Sequence, residues 1–250
     1  MAKLSPVTRG QAIALDCLSC PTRTSAEWSV LPDEQMAEIN SSKTSRRYPR
    51  GVFIYSQGQP CTGVYCIATG TAAVRRAEPS LPAVLVRLAF AGETLGYRSA
   101  LDETVRATDA KALEPCVVCH IEITLLHRML RRHRALLQRF QSHIAADLDQ
   151  TEAGLAQVAW LPVRGRVARL IVGLVERTRA PEAHSSLNGP CEVALPMTRR
   201  DMAELLCTRP ETLTRALQSL EDDGLLRNAG HRLAIPSLSR LRAETVPHAE

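Results

Sequence analysis

The sequence lacks any long hydrophobic run. No apolar stretch approaches the roughly 18 residues that suggest a membrane-spanning helix, and the N-terminus does not have the pattern of an export signal. Aromatic residues are also scarce, although the apolar content of 45% is ordinary for a globular protein. We therefore expect neither a membrane protein nor an exported one, and the predicted location is the cytoplasm.

The sequence also lacks a strong excess of either charge. Its 31 Lys and Arg residues against 26 Asp and Glu residues give a formal net charge of +5, which identifies no partner by itself. The distribution is more informative, because arginines concentrate in the helical segments after residue 127 and around residues 199–215. That clustering is consistent with contacts to phosphate groups.

The cysteines are numerous for a chain without an export signal. Eight of them indicate reduced thiols or metal ligands rather than a disulfide framework. Cys17 and Cys20 form a C-x-x-C pair in an N-terminal segment, residues 1–30, that we expect to be irregular and to offer these thiols no core. A redox enzyme that used this pair would need a βαβ unit after it, whereas a loop and short strands are predicted. We therefore expect no enzyme.

Residues 197–220 predict two short helices separated by a tight break. Thr198 with Asp201 and Thr208 with Glu211 each match a helix-opening cap, and Pro210 fits a first turn. This is the pattern of a helix-turn-helix, whose second helix presents its first residues to the major groove. The candidate DNA-binding residues are Thr198, Arg199, Thr208, Arg209, Glu211, Thr214 and Arg215.

The chemistry of this second helix suits base readout. An arginine binds guanine through two hydrogen bonds, and a glutamate accepts one from the cytosine amino group. The alternative is structural, with Glu211 as a cap and Arg215 as its i,i+4 partner. Residues 225–235 follow as two predicted strands around an Asn228-Ala229-Gly230 turn, which is typical of the wing of a winged helix-turn-helix.

The middle of the chain predicts a small β-structure. After a short amphipathic helix near residues 31–45, with Leu31, Met36 and Ile39 turned inward, glycines punctuate alternating strand patterns from Tyr48 to Ile123. That spacing predicts a compact antiparallel barrel or roll.

Residues 124–158 predict one long helix. Apolar residues recur at steps of three and four, which is typical of a seam that pairs with a second copy of the chain. The alternative is a helix that packs on its own β-roll. The seam consists of Leu126, Leu130, His133, Leu137, Phe140, Ile144 and Leu148, with His133 expected as a packed polar residue rather than a metal ligand.

In this order the elements resemble the Crp/Fnr superfamily of bacterial transcription regulators, most closely its Fnr branch. The resemblance rests on Gly51-x-x-Ile54-Tyr55-x-x-Gly58, Val64-Tyr65-Cys66-Ile67-x-x-Gly70, Gly92-Glu93-x-x-Gly96, Thr198-Arg199-Arg200-Asp201-Met202-Ala203 and Pro210-Glu211-Thr212-Leu213-Thr214-Arg215. It implies an α+β fold with a cyclic-nucleotide-binding-like antiparallel β-roll, a dimerisation helix and a C-terminal winged helix-turn-helix. The implied division is an N-terminal cysteine-bearing segment (1–30), a sensor domain (31–123), a dimerisation helix (124–158) and a DNA-binding domain (159–250).

The resemblance also implies partners. The Fnr-branch motif Glu-x-x-Ser-Arg reads TTGA-type half-sites, and Glu211, Thr214 and Arg215 occupy its places here, with Thr for Ser. A homodimer would bind an inverted repeat of such half-sites in double-stranded DNA and would act with RNA polymerase. No membrane partner is implied.

Two sensing chemistries follow from the resemblance. Cyclic-nucleotide members bind ribose with a Gly-Glu pair and phosphate with an Arg-Ser pair, but here Ala107 follows Arg106, which disfavours a nucleotide. Fnr-branch members hold an iron–sulfur cluster, which the resemblance implies to be of the [4Fe–4S] type, and Cys17, Cys20 and Cys119 match three of its ligands. The remaining family ligand falls at Ala26.

A fourth ligand is therefore left open by the sequence. The candidates are Cys116, Cys61, Cys66, Glu27 and Asp16, although Cys116 and Cys119 should point to opposite faces of a strand. As structural residues, Cys66, Cys116 and Cys207 would be small, buried and apolar. The alternatives to a cluster are a Cys17–Cys20 thiol switch, another metal, or a small ligand.

Overall fold

The computed structural model describes residues 10–102, 104–178 and 189–246. The chain divides into two compact units, residues 1–148 and 149–250, and the division falls inside a long helix. No helix among these described residues is both long and apolar enough to cross a bilayer.

The first unit combines nine strands with a few helices. Its helices are a 3₁₀ turn (Glu27–Val30), α1 (Asp33–Ser42), α2 (Tyr97–Leu101), α3 (Ile123–Arg132) and the start of α4 (Arg134–Trp160). Its strands are β1 (Gln11–Ile13), β2 (Thr44–Tyr48), β3 (Phe53–Tyr55), β4 (Gly63–Thr69), β5 (Ala72–Arg76), β6 (Val84–Ala89), β7 (Thr94–Leu95), β8 (Asp109–Ala112) and β9 (Cys116–Glu122).

These strands form two antiparallel sheets that enclose an apolar interior. One sheet has the order β1-β2-β9-β4-β7 and the other has the order β3-β8-β5-β6. Both contribute to one core cluster, which includes Ile54, Ile67, Ala72, Leu95, Ala110, Cys116 and Val118. The predicted α+β class with an N-terminal antiparallel β-roll is confirmed.

A second core covers the outer face of the five-stranded sheet. Alternation along β4 and β9 turns Val64 and Ile121 to this face, while Ile67 and Val118 turn to the interior. Helices and the N-terminal segment supply the rest, including Trp28, Met36, Ile39, Tyr97, Leu125, Leu126, Met129, Leu130, Leu136 and Phe140. We call this layer the outer core.

The prediction of a single helix over residues 124–158 was wrong. The chain breaks at His133, whose φ of −123° and ψ of 93° lie outside the helical region, and α3 ends there. The break lets two successive apolar stretches pack on the same sheet face. Leu126, Leu130 and Phe140 are consequently buried in the outer core of their own chain. They are unavailable to a partner, so the alternative of packing on the β-roll is correct for this part.

The rest of the predicted seam faces solvent. Ile144 and Leu148 are 39% and 60% exposed, and the same spacing continues to Leu155 and Val158, at 69% and 44%. His133 and Leu137 are half-buried. Large apolar side chains in one exposed row suit a helix that pairs with a copy of itself. The dimer seam therefore remains a prediction for residues from Ile144 onwards.

The N-terminal segment is more ordered than the sequence predicted. Its first nine residues lie outside the described part, but β1 pairs with β2 and residues 17–30 form consecutive turns against the outer core. Cys17 is only 8% exposed. The prediction that Cys17 has no core to fill was therefore wrong, because this segment covers the sheet face that the helices leave open.

The second unit is built on helix packing with a small sheet. It contains α5 (Val163–Thr178), β10 (Cys191–Ala194), α6 (Arg199–Leu205), α7 (Pro210–Asp222), β11 (Arg227–Ala229), β12 (Arg232–Ile235) and α8 (Leu238–Ala243). The predicted two-stranded wing is present as β11 and β12. The sequence missed β10, which pairs with β12 and makes a three-stranded sheet.

Candidate nucleic-acid interface and cysteine site

The first helix of the predicted helix-turn-helix begins with a complete capping box. The Thr198 side chain accepts from the amide of Asp201 at 3.2 Å, and the Asp201 carboxylate accepts from the amide of Thr198 at 2.9 Å. Met202 and Ala203 are then buried beneath it. This reciprocal pair fixes where α6 begins and confirms the predicted cap.

The second helix begins one residue later than predicted. Pro210 occupies its first turn, so the capping position is Arg209, which makes no side-chain cap. The amide of Thr208 instead donates to the carbonyl of Ala203 at 2.9 Å. The predicted Thr208–Glu211 cap was therefore wrong, because a proline at the first helical position makes its predecessor the cap.

The first turns of α7 present polar side chains to solvent. Arg209, Glu211, Thr214 and Arg215 are all exposed, whereas Leu213, Ala216, Leu217 and Leu220 are buried against the unit's core. The Thr214 hydroxyl donates to the carbonyl of Pro210 at 2.9 Å. Among the described residues, Glu211 and Arg215 form no ion pair with one another. The exposed carboxylate and guanidinium therefore remain available to a ligand.

Arg199 carries a partly buried guanidinium at the start of α6. Its Nη1 atom has no hydrogen-bond partner among the described residues, and burial lowers the pKa of Arg199 below its ordinary value, against the opposing charge of Glu221. A buried donor without a partner is costly.

Cys207 lies in the tight break between α6 and α7. The sequence predicted a buried apolar residue there, but Cys207 is exposed and its φ of 49° lies in the left-handed region. The reversal of the chain between the two helices requires this conformation, which leaves the thiol in solvent. The prediction for Cys207 was wrong.

In the first unit, two cysteines are direct neighbours across adjacent strands. Cys66 on β4 and Cys119 on β9 are paired in register, so both side chains point to the outer core. The Cys119 thiol contacts the Ser45 hydroxyl at 3.4 Å, and the Cys66 thiol contacts the Thr94 hydroxyl at 3.7 Å. Cys116 lies on the opposite face, in the sheet interior, as its spacing predicted.

The N-terminal turns bring two more thiols to the same face. Cys17 belongs to the outer core, and its amide donates to Asn40 of α1 at 3.0 Å. Cys20 follows in the next turn, with its thiol 3.3 Å from the Thr22 hydroxyl. Trp28 then donates from its indole nitrogen to Thr94 at 3.1 Å, which fixes the segment beside Cys66.

The electrostatic surroundings of these thiols also reflect their proximity. Burial raises the pKa of Cys17 to about 11, with Lys43 opposing the shift and with Cys119 and Cys20 adding to it. Burial raises the pKa of Cys119 as well, and Cys20 adds to that shift.

The described residues form no site for a single metal ion. No three His, Cys, Asp or Glu side chains in the described part of the chain lie close enough to bind one metal ion. A [4Fe–4S] cluster makes a different demand, because each of its four irons takes one thiolate. Cys17, Cys20, Cys66 and Cys119 are all free thiols. Their segments converge on one face, and cysteine is the ligand that such clusters use.

The region expected to bind a cyclic nucleotide is filled by the protein itself. Arg106 is 2% exposed, and its guanidinium donates to the carbonyls of Gly63 and Gly96. It also stacks on Tyr55, with 4.7 Å between its central carbon and the ring centre. A Cβ on Gly96 would lie 2.0 Å from Arg106 Nη1, so only glycine admits this arrangement. Arg106 is therefore a core residue rather than a phosphate ligand.

A buried ionic network joins the N-terminal segment to α4. Glu27 accepts from His143 Nδ1 and from the Thr94 hydroxyl, the latter at 2.8 Å. One turn further along α4, Asp147 accepts from Tyr97. The edge of Trp28 packs on Phe140 with 5.6 Å between ring centres. Glu27 and Trp28, which follow Cys20 in the sequence, therefore contact the N-terminal half of α4.

Comparison with known proteins places both units in known families. Residues 45–133 match the cyclic nucleotide-binding domain, and residues 165–244 match the Crp-like helix-turn-helix domain. The chain is 25% identical over 229 residues to the transcriptional activator protein FnrL of Cereibacter sphaeroides, with 91% of each chain covered. It is 23% identical over 190 residues to the cAMP-activated global transcriptional regulator CRP of Escherichia coli O157:H7, covering 76% of this chain and 88% of that protein.

Solved structures agree on the fold. The structure of FixK2 from Bradyrhizobium japonicum superposes with a TM-score of 0.70 at 20% identity, covering 83% of this chain and 99% of that one. A protein from Ruegeria pomeroyi that is described as a putative cyclic nucleotide binding protein gives a TM-score of 0.63 at 24% identity, covering 93% of this chain and 99% of that one.

A β-roll followed by a long helix and a winged helix-turn-helix is the architecture of a DNA-binding regulator. The chain belongs to the Crp/Fnr superfamily and is a DNA-binding transcription regulator. Regulators of this family act as dimers, and the relatives are not enzymes.

Proposed function

We propose that this regulator belongs to the Fnr branch and senses redox state or a diatomic gas, oxygen or nitric oxide, through an iron–sulfur cluster. Cys17, Cys20 and Cys119 supply three of the ligands. The protein works in the cytoplasm as a homodimer that binds inverted TTGA-type half-sites in double-stranded DNA and acts with RNA polymerase. Residues 31–123 form the sensor domain and 159–250 the DNA-binding domain, while dimerisation uses the exposed row on α4 from Ile144 onwards.

One observation carries the sensing proposal. Cys17 and Cys20 lie about a hundred residues before Cys119 in the sequence, yet the fold brings their segment to the face toward which Cys119 points. Lys43 donates to the carbonyl of Leu15, two residues before Cys17, and to the Ser45 hydroxyl at 3.1 Å, and that hydroxyl lies 3.4 Å from the Cys119 thiol. Cysteine thiolates are the ligands that iron–sulfur clusters use. The 25% identity to FnrL supports the same branch.

The buried position of the thiols favours a cluster over a thiol switch. A redox-sensing cysteine is usually exposed and stabilised as the thiolate, whereas Cys17 and Cys119 are buried at 8% and 6% exposure. The cluster, when bound, supplies a group that oxidants destroy and that ties the N-terminal turns to β9. The chain's own residues then supply the response.

The route from the thiols to the dimer seam is short. Cys20 is followed by the turns that carry Glu27 and Trp28, which hold His143 and Phe140 of α4. Ile144 comes directly after His143, and Leu148 lies one turn further on. Releasing the N-terminal turns would free this part of α4 and shift the equilibrium between arrangements of the dimer.

DNA recognition is assigned to the exposed first turns of α7. Arg215 and Glu211 are the base-reading pair, and Thr214 can exchange its bond to the Pro210 carbonyl for a bond to DNA. Thr198, Arg199, Thr208 and Arg209 are assigned to contacts with the DNA backbone.

The test is the iron and sulfide content of protein purified without air. We expect stoichiometric iron and sulfide, a visible absorption band, and loss of both within minutes in air together with weaker binding to TTGA-type palindromes. Replacing Cys17, Cys20 or Cys119 with Ser should abolish the cluster, whereas the exposed control Cys207→Ser should retain it. Wild-type protein that contains no iron, but gains a reversible Cys17–Cys20 disulfide in air, would establish the thiol switch instead.

A further inference from the structure

A four-iron cluster requires one ligand from this chain beyond the three already assigned. Three thiols are assigned, and the position of the remaining family ligand is occupied by Ala26, a residue 5% exposed in the outer core. Because every iron of such a cluster takes a protein ligand, a fourth donor must reach the same face from elsewhere.

Cys66 is the residue that the sheet brings there. It is the register partner of Cys119 across β4 and β9, and directly opposed residues of an antiparallel pair project from the same face with Cβ atoms about 4.5–5.5 Å apart. The Cys66 side chain packs against the outer core, which also contains Cys17. Two ligands would thus come from rigid strands and two from the turns that cover them.

The other candidate fourth ligands are engaged in hydrogen bonds or point away from the outer core. Glu27 accepts from His143 and from the Thr94 hydroxyl, and Asp16 is exposed and accepts from the Leu18 amide at 3.1 Å. Cys116 points into the sheet interior. Cys61 also packs against the outer core, but it lies before β4 begins and outside the register pairs of β4 and β9, and its thiol donates to the Gly63 carbonyl at 3.6 Å.

The thiol of Cys66 is electrostatically close to the other ligands. Burial raises the pKa of Cys66 well above its ordinary 9.0, Glu27 adds to the shift, and Cys119 and Cys20 contribute further. Cys66 therefore lies within range of one cysteine on β9 and one in the N-terminal turn, as a ligand that shares a cluster with both of them should.

We propose that Cys66 is the fourth thiolate ligand, so that the cluster is held by Cys17, Cys20, Cys66 and Cys119. This inference rests on the proposed function. Each thiol gives up its proton to solvent when its sulfur binds iron. The arrangement transfers a ligand from position 26, in the N-terminal turns, to β4, which has a neighbouring strand on each side.

The experiment compares Cys66→Ala with matched controls in protein purified without air. Cys61→Ala and Cys116→Ala also remove one half-buried and one buried thiol, but from outside the proposed ligand set. We expect Cys66→Ala to lose its iron, its sulfide and its visible absorption to background, while both controls keep the wild-type content. Circular dichroism should report the same secondary structure for all three.

A rescue variant separates a ligand from a packing residue. In the double variant Ala26→Cys, Cys66→Ala, a thiol returns at the turn position, and we expect the iron and sulfide content to recover to at least half of the wild-type value. A folded double variant that regains no iron would overturn the proposal.

The two proposals fail in different ways. If wild-type protein and every variant lack iron, the cluster itself is refuted. If wild-type protein holds a cluster that Cys119→Ser loses and Cys66→Ala keeps with full iron content, the proposed function stands and the assignment of Cys66 is overturned.

Discussion

Glu93 and Arg87 form an ion pair in the first unit, with 2.6 Å between Arg87 Nη1 and Glu93 Oε2 and each side chain 19% exposed. Arg87 also forms an ion pair with Asp147 of α4, with 3.5 Å between Arg87 Nε and Asp147 Oδ2. Glu93 belongs to the Gly-Glu pair that binds ribose in cyclic-nucleotide members of the family. Here the Glu93 carboxylate instead pairs with Arg87 and so connects β6 to the loop that follows it. Arg106, the expected phosphate ligand, donates to backbone carbonyls.

Cyclic AMP should therefore leave this protein's stability unchanged. A ligand that bound the folded state at 100 times its dissociation constant would add about 2.7 kcal/mol to the free energy of unfolding, which a melting experiment detects easily. We expect no shift in Tm at millimolar cAMP. Ala107→Ser should not create a response, because Arg106 would remain in the core. A saturable rise in Tm with cAMP would contradict this prediction.

The contact between His143 and Glu27 should make the first unit's stability depend on pH. Burial alone would lower the pKa of His143, but Glu27 and then Asp147 outweigh burial and the opposing charge of Arg87, so that the pKa is raised above 6.5. Burial would raise the pKa of Glu27, but the hydrogen bond and charge of His143 lower it below 4.5. Tyr97 is the other titratable group that faces His143.

The sign of the effect follows from these directions. His143 contributes fully to the free energy of unfolding below pH 6.5, and this contribution is lost as pH rises through its raised pKa. Glu27 contributes to the free energy of unfolding above pH 4.5, and its contribution is lost as pH falls through its lowered pKa. In a Trp160→Phe background, urea unfolding followed by Trp28 fluorescence should show that His143→Gln costs about 1–3 kcal/mol near pH 5.5. The cost should be smaller near pH 8.5, and the exposed control His231→Gln should cost nothing at either pH. An equal cost at both would refute the ion pair.

Base readout by α7 is tested by single-base operator variants. Arg215→Ala should cost about 1–3 kcal/mol of binding free energy on the TTGA-type site and should relax preference mainly at one position. Gln218→Ala, which alters an exposed side chain beyond the first turns of α7, should change neither affinity nor preference. If Glu211→Gln binds every variant as wild type does, Glu211 is a structural residue and not a reading one.

The corrected dimer seam predicts opposite consequences for two leucines of the predicted helix. Leu148→Glu should give a monomer in sedimentation at micromolar concentration with little loss of monomer stability, because Leu148 is exposed in the row that would pair. Leu126→Ala should cost about 2–5 kcal/mol of stability and leave the dimer intact, because Leu126 is fully buried in its own chain. Gln150→Glu, which adds the same charge off the seam, is the control. A dimer in Leu148→Glu would refute the seam.

Local signals in the sequence determined much of this protein. The glycine-punctuated strand patterns predicted the β-roll, and the Thr198–Asp201 cap predicted the start of α6 to the residue. Met36 and Ile39 are buried on α1 as the helical period predicted, and Leu31 is buried although it precedes the helix, which is shorter than the predicted 31–45. These features depend on contacts between residues only a few positions apart, so the order of residue types along the chain is enough to identify them.

Tertiary structure decided what a one-dimensional pattern leaves open. A heptad row reports that a helix has an apolar face but not which surface that face meets, so the break at His133 and the burial of Leu126 depended on the nearby sheet. In the same way, nothing within the sequence pairs Cys66 with Cys119 or commits Arg106 to the carbonyls of Gly63 and Gly96. Strand register and burial fix those relationships, because both arise from contacts between segments distant in the chain.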